Sequence, residues 1–164
     1  MDDRPTALAE LARLIEGIPV AMVTTRTDDD MLGSRPMLLE RLEQDGTLTF
    51  LTHLSSEKVH EVSRDPRVNV AFVSDKGDRY VSVSGNATAT HDTARMHTLW
   101  KPTYRAWFPQ GPDDPDSAIM TIGIERIEYW DVPTSRLVRV WCAIKALATG
   151  RVVEAGEHRH RDLQ

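Results

Sequence analysis

The chain has 164 residues, 40% hydrophobic and 27% charged, with 20 Lys and Arg against 25 Asp and Glu for a formal charge of −5. That balance suits one globular domain with a buried core, and the acidic excess argues against a nucleic-acid partner, which needs a basic footprint. The single cysteine, Cys142, excludes an intramolecular disulfide and any multi-cysteine metal site, and with no leader-like start or membrane-length apolar run a reducing cytoplasm is the expected location.

Residues 4–16 space Leu8, Leu11, Ala12 and Ile15 three or four apart between Pro5 and Gly17, which predicts an amphipathic helix. Ile18–Thr25 is a short apolar, β-branched run read as a largely buried strand, ended by Asp28-Asp29-Asp30. Ser34–Arg41 is the second strand. After the Asp45-Gly46 turn, Thr47–His53 alternates Leu48, Phe50 and Thr52 against Thr47, Thr49 and Leu51. Ser55–Arg64 predicts a short helix stopped by Asp65-Pro66. Val68–Ser74 and Tyr80–Thr90 are strands, and Gly85 inside the second marks a bulge or a close backbone approach.

His91–Phe108 reads as short helices broken by Pro102, followed by a loop through Pro115 and a long strand, Ile119–Val132. Leu137, Val140, Trp141, Ile144 and Leu147 predict a terminal helix stopped by Gly150, with Trp130 and Trp141 assigned to the core. Residues 1–150 are thus expected to form the domain and 151–164 a frayed, flexible tail. Six strands in consecutive antiparallel order with flanking helices point to a mainly β protein built on a small barrel.

Chemistry concentrates at Phe50-Leu51-Thr52-His53-Leu54-Ser55-Ser56-Glu57-Lys58-Val59. A lysine in the first turn of a helix sits against the positive end of the macrodipole, a placement that an anion relieves. Ser55, Ser56 and Lys58 could then hold a phosphate, or equally be an ordinary N-cap and a solvated lysine. Arg35-Pro36-Met37 places a guanidinium near a strand start beside a residue that cannot donate to the ladder; a ligand contact and a salt bridge to a nearby acid are both open. The histidines show no metal-ligand spacing, and Asp113-Asp114-Pro115-Asp116 lacks the further ligands of a calcium loop.

The ordered set SRPM (34–37), FLTHLSSEKV (50–59), DPRVNVAF (65–72) and YVSVSGNATATHD (80–92) resembles the pyridoxamine 5′-phosphate oxidase-like FMN-binding split barrels. LWKPTYRAWFPQGPDDP (99–115) and IEYWD (127–131) make it most similar to the bacterial general stress protein branch. The resemblance implies a six-stranded antiparallel split barrel that binds FMN. Lys58, Ser55 and Ser56 would hold its phosphate and Arg35 would lie near the phosphate or ribityl chain. Arg35, Pro36, Met37, Leu51 and Thr52 would line the ring. It also implies a homodimer in which the partner's segment 100–108, Trp107 included, closes the site. The implied function is a flavin-dependent oxidoreductase acting on a small molecule, the alternatives being a non-catalytic flavin-binding stress protein or a relative that takes F420 or haem. A basic, substrate-phosphate-binding final strand, as in true pyridoxamine 5′-phosphate oxidases, is not expected from the ragged end, which argues against vitamin B6 oxidation.

Overall fold

The computed structural model describes residues 4–76, 78–131 and 157–162, the last as backbone. Helix α1 (Arg4–Ile15) buries Ala7, Leu8, Leu11, Leu14 and Ile15, the stripe its sequence spacing sets up. Strands β1 (Val20–Arg26), β2 (Leu32–Leu42) and β3 (Thr47–His53) follow, then α2 (Glu57–Arg64), β4 (Arg67–Val73) and β5 (Arg79–Thr90). Helix α3 (Thr93–Leu99), a 3₁₀ turn over Pro102–Ala106, β6 (Ser117–Asp131) and β7 (Glu157–Asp162) complete the described chain. Among the described residues no helix is long and apolar enough to cross a membrane.

The strands run in the order β3-β2-β1-β4-β5-β6, and β3 also pairs with β6, closing a six-stranded antiparallel barrel. Closure depends on the 15-residue length of β6. One of its edges pairs with β5 along nearly its whole length; the other takes β3 over Ser117–Gly123 and β7 over Arg126–Asp131. Leu48, Phe50, Val23, Val70, Phe72, Val83, Met120 and Ile122 fill the interior.

Gly85 is where the sheet bends. A Cβ there would meet the Gly123 carbonyl oxygen at 2.1 Å, so only glycine admits this approach of β5 to β6. The register shifts at the same place, leaving Glu125 as the extra residue on β6. Inward-facing positions accordingly change parity, from Ile122 and Ile124 to Ile127 and Tyr129.

Four expectations are corrected. β1 is half exposed rather than largely buried, because Val20 and Met22 face out while Ala21 and Val23 face in. Trp130 is not in the core: the bulge at Glu125 turns Tyr129 inward and leaves Trp130 38% exposed. The end of the chain is not frayed throughout, since Glu157–Asp162 forms β7 against β6. The long strand also begins earlier than expected, at Ser117. The predicted terminal helix, with Trp141 and Cys142, lies outside the described residues.

Asp92 caps α3, its carboxylate accepting from the Arg95 amide at 2.9 Å. Asp92→Ala is expected to cost about 1 kcal/mol, read as a lower urea midpoint at unchanged slope.

Candidate functional site

The site forms outside the barrel where β2, β3 and the start of α2 meet the segment after α3. Along β2 the pleat sends Arg35 and Met37 toward the interior, while Pro36 and Leu38 face outward. The outward row and the end of β3 line a cavity of about 210 Å³ together with Lys58, Tyr104, Trp107 and Phe108. Of the residues read from the sequence, Pro36, Met37, Leu51, Thr52, Lys58 and Trp107 come together here.

Lys58 lies in the first turn of α2, its ammonium hydrogen-bonded to the neutral Thr52 Oγ1 at 3.2 Å. Burial, and then the nearby Arg35 charge, hold its pKa below the usual lysine value; Glu61 and Glu57 offset this in part. Ser56 occupies the N-cap position, but its hydroxyl donates to the His53 carbonyl at 2.7 Å and lies 3.3 Å from Thr52 Oγ1 instead of capping. The helix start therefore presents backbone N–H groups, the Thr52 hydroxyl and a half-buried cation beside the cavity, a donor set suited to a phosphate, while the Ser56 proton is given to the His53 carbonyl.

Arg35 is held elsewhere. Its guanidinium pairs with Glu61 Oε2 at 3.0 Å and donates to Thr25 Oγ1, and Thr25 donates to the same carboxylate oxygen at 2.5 Å. Glu61 is 5% exposed, so this pair stitches β1, β2 and α2 together at the barrel mouth. Of the two openings for Arg35, the salt bridge is present. Ser55 is likewise committed: Asp116 accepts from its amide at 2.8 Å and from its hydroxyl at 2.7 Å. The Ser55 hydrogen bonds lower the Asp116 pKa.

The aromatic wall belongs to the same chain as Lys58. Phe108 stacks against His53 at 4.5 Å between ring centroids, and His53 Nε2 lies 3.1 Å from the Trp107 carbonyl oxygen. Trp100 contacts both Tyr104 and Phe108 edge-on. Trp107 remains 61% exposed, its indole at the cavity's rim.

Sequence reading missed Leu38, Glu40 and His53 as lining residues and took Tyr104 only as part of the segment 100–108. For Glu40 a signal existed: it shares the outward parity of Pro36 and Leu38. Nothing local pairs it with Tyr104, which is 64 positions away. Among the described residues no cluster of three or more His, Cys, Asp or Glu is placed to hold a metal ion.

A family model described as pyridoxamine 5′-phosphate oxidase like matches residues 6–154. Among curated proteins, protein bli-3 of Neurospora crassa is 27% identical over 130 residues, which cover 73% of this chain and 62% of that protein. Pyridoxine/pyridoxamine 5′-phosphate oxidase of Salmonella paratyphi B is 36% identical over 77 residues, covering 46% of this chain and 34% of the enzyme. The chain thus matches less than two thirds of the length of either relative. In fold it is similar to a Clostridium acetobutylicum protein related to general stress protein 26, with a TM-score of 0.72 at 18% identity over 99% of this chain and 97% of that one. It is also similar to the general stress FMN/FAD binding protein of Xanthomonas citri, with a TM-score of 0.65 at 23% identity over 74% and 86%.

Proposed function

The chain belongs to the pyridoxamine 5′-phosphate oxidase-like family, and from that premise we propose that it is a flavoprotein that binds FMN in the cavity between Lys58 and the aromatic wall. The observation that carries this reading is the juxtaposition of a half-buried, anion-seeking lysine with a flat apolar slot. Lys58, Thr52 and the α2 amides fit a phosphate, with Ser56 beside Thr52, while Pro36, Met37, Leu51, Trp107 and Phe108 offer the apolar edges that a fused ring system requires. When bound, the flavin would supply two-electron redox chemistry, making the protein a cytoplasmic oxidoreductase for a small molecule. The residues of the chain bind and orient the cofactor and keep water from its apolar face.

We further propose a homodimer. At about 210 Å³ the cavity falls short of the roughly 300–1,000 Å³ of sites that enclose a small-molecule ligand, so one chain supplies part of the enclosure. The outward row that enters the cavity continues as an apolar face: Leu38 lies opposite Val20 and Pro36 opposite Met22. Leu38, Val20 and Met22 are 41%, 47% and 42% exposed. A second copy seated on this face would cover it and complete the slot.

Purified protein is expected to be yellow, or to become so with added FMN, and to elute as a dimer. Protein that stays colourless and fails to bind FMN would sink the reading. A non-catalytic, flavin-holding role is the second reading, favoured by the cavity's carboxylate, Glu40, being already engaged with Lys101 and Tyr104. Anaerobic mixing of the FMN-loaded protein with NADH or NADPH separates the two: bleaching of the flavin supports the oxidoreductase, and no bleaching with either donor supports the second reading.

A further inference from the structure

Glu40 combines features that are costly unless they serve a purpose. Its side chain is only 4% exposed although it lies on the outside of the barrel. It sits at a β-bulge, where the β2–β3 register slips between Leu39 and Arg41 and leaves Glu40 without a partner residue on β3. Burying a carboxylate there requires charge and hydrogen-bond compensation, and among the described residues it comes from one place in the chain. Lys101 Nζ lies 2.9 Å from Oε1 and 3.0 Å from Oε2, and the Tyr104 hydroxyl donates to Oε2. The same ammonium sits 5.6 Å from the centroid of the Tyr104 ring, so the three groups form one closed cluster.

Lys101 is the N-cap residue of the 3₁₀ turn that leads into Trp107 and Phe108, and Tyr104 lies inside that turn. The Tyr104 amide donates to the Lys101 carbonyl at the start of the turn, and the Trp107 and Phe108 amides both return to the Tyr104 carbonyl. Fixing Tyr104 therefore fixes the origin from which the wall is built. On the far side His53 and Asp116 secure the wall's other end to β3 and the start of α2.

We propose that Glu40 is a positioning residue that tethers segment 101–108 to β2 and thereby sets the distance between the aromatic wall and the cavity floor. The specificity that follows is for flat heteroaromatic rings, whatever charged group they carry, because the wall meets the ring and Lys58 meets the anion. The ligand part of this inference rests on the flavin reading; the tether itself does not.

Hydrogen–deuterium exchange on the full, ligand-free chain tests the tether. Glu40→Ala is expected to speed exchange of the 101–108 amides at least about tenfold while those of β1, β4 and β5 stay as in the parent. Unchanged exchange in 101–108, or an equal rise everywhere, overturns the proposal. Titration with FMN and riboflavin then tests the consequence. Glu40→Ala is expected to weaken both by the same factor, about tenfold, and to add little in a chain that already carries Trp107→Ala. An FMN-only loss, or losses that simply add, overturns it. Glu40→Gln, which can still accept from Tyr104, is expected to recover part of both effects. Should Glu40→Ala fail to fold, Tyr104→Phe removes one tether contact while leaving Lys101 in place; faster exchange confined to 101–108 supports the proposal and parental exchange overturns it. A parent chain that binds no flavin would refute the flavin reading, and the exchange comparison would still decide the tether.

Discussion

Replacing Lys58 with alanine is expected to lower FMN affinity about ten- to a hundredfold while changing riboflavin affinity less than about threefold. A hydrogen bond from a charged donor contributes about 1.5–3 kcal/mol, and each 1.4 kcal/mol is tenfold in affinity. The loss is expected on the phosphorylated ligand alone because Pro36, Leu51 and Phe108, the residues proposed to meet the ring, are untouched. Isothermal titration of parent and variant with both ligands measures this, and equal losses for FMN and riboflavin would remove the phosphate from Lys58.

The same residue carries a pH dependence with a definite sign. In the free protein, burial and Arg35 lower the Lys58 pKa from its ordinary 10.5, so the charged form is disfavoured on folding. Ligand-free stability therefore gains from Lys58 as pH rises from that lowered value toward 10.5, the reverse of a lysine held in an ion pair. An anion bound beside it restores the charged form. FMN affinity is accordingly expected to fall as pH climbs through the lowered value, with riboflavin affinity flat across the same range and the slope absent in Lys58→Ala. A slope of equal size in Lys58→Ala would assign the proton to another group.

Gly85→Ala is the largest stability change expected of any conservative replacement in the barrel. The added methyl would stand 2.1 Å from the Gly123 carbonyl oxygen and 3.0 Å from its carbon, with Ile122 Cγ2 at 3.3 Å. The obstacle is backbone, so no rotamer change clears it; β5 and β6 must separate where both the barrel closure and the bulge are set. A loss of about 3 kcal/mol or more is expected, lowering the melting temperature by roughly 6–12 °C for a chain of this size. Gly123→Ala is the control. A Cβ there meets nothing within 4 Å, so thermal unfolding should stay within about 1 kcal/mol of the parent. A Gly85→Ala melting temperature within about 2 °C of the parent would show that the strands can part without cost.

The element order through β6 was legible because each of those elements is written in short-range patterns. Helix α1 follows from apolar spacing over four turns' neighbours, β3 from alternation, and the Gly85 anomaly from a glycine interrupting a β-branched run. Half of the site was legible for the same reason. Thr52, Ser56 and Lys58 lie within seven residues of one another, so a strand end and a helix start bring them together without help from the rest of the fold.

What tertiary structure alone decided is which partner each polar group takes and which way each side chain faces. Arg35 had several acids within reach in sequence terms; the barrel puts Glu61 beside it, desolvates the carboxylate and so makes the pair the cheapest arrangement. Ser55 finds Asp116, 61 positions on, because closure of β3 on β6 brings the strand ends together. Trp130 faces outward, against expectation, because one extra residue, Glu125, inverts every position after it. Local periodicity depends on neighbours a few residues away and survives in any fold that keeps the element; partner and facing depend on register, and register is settled only when the barrel closes.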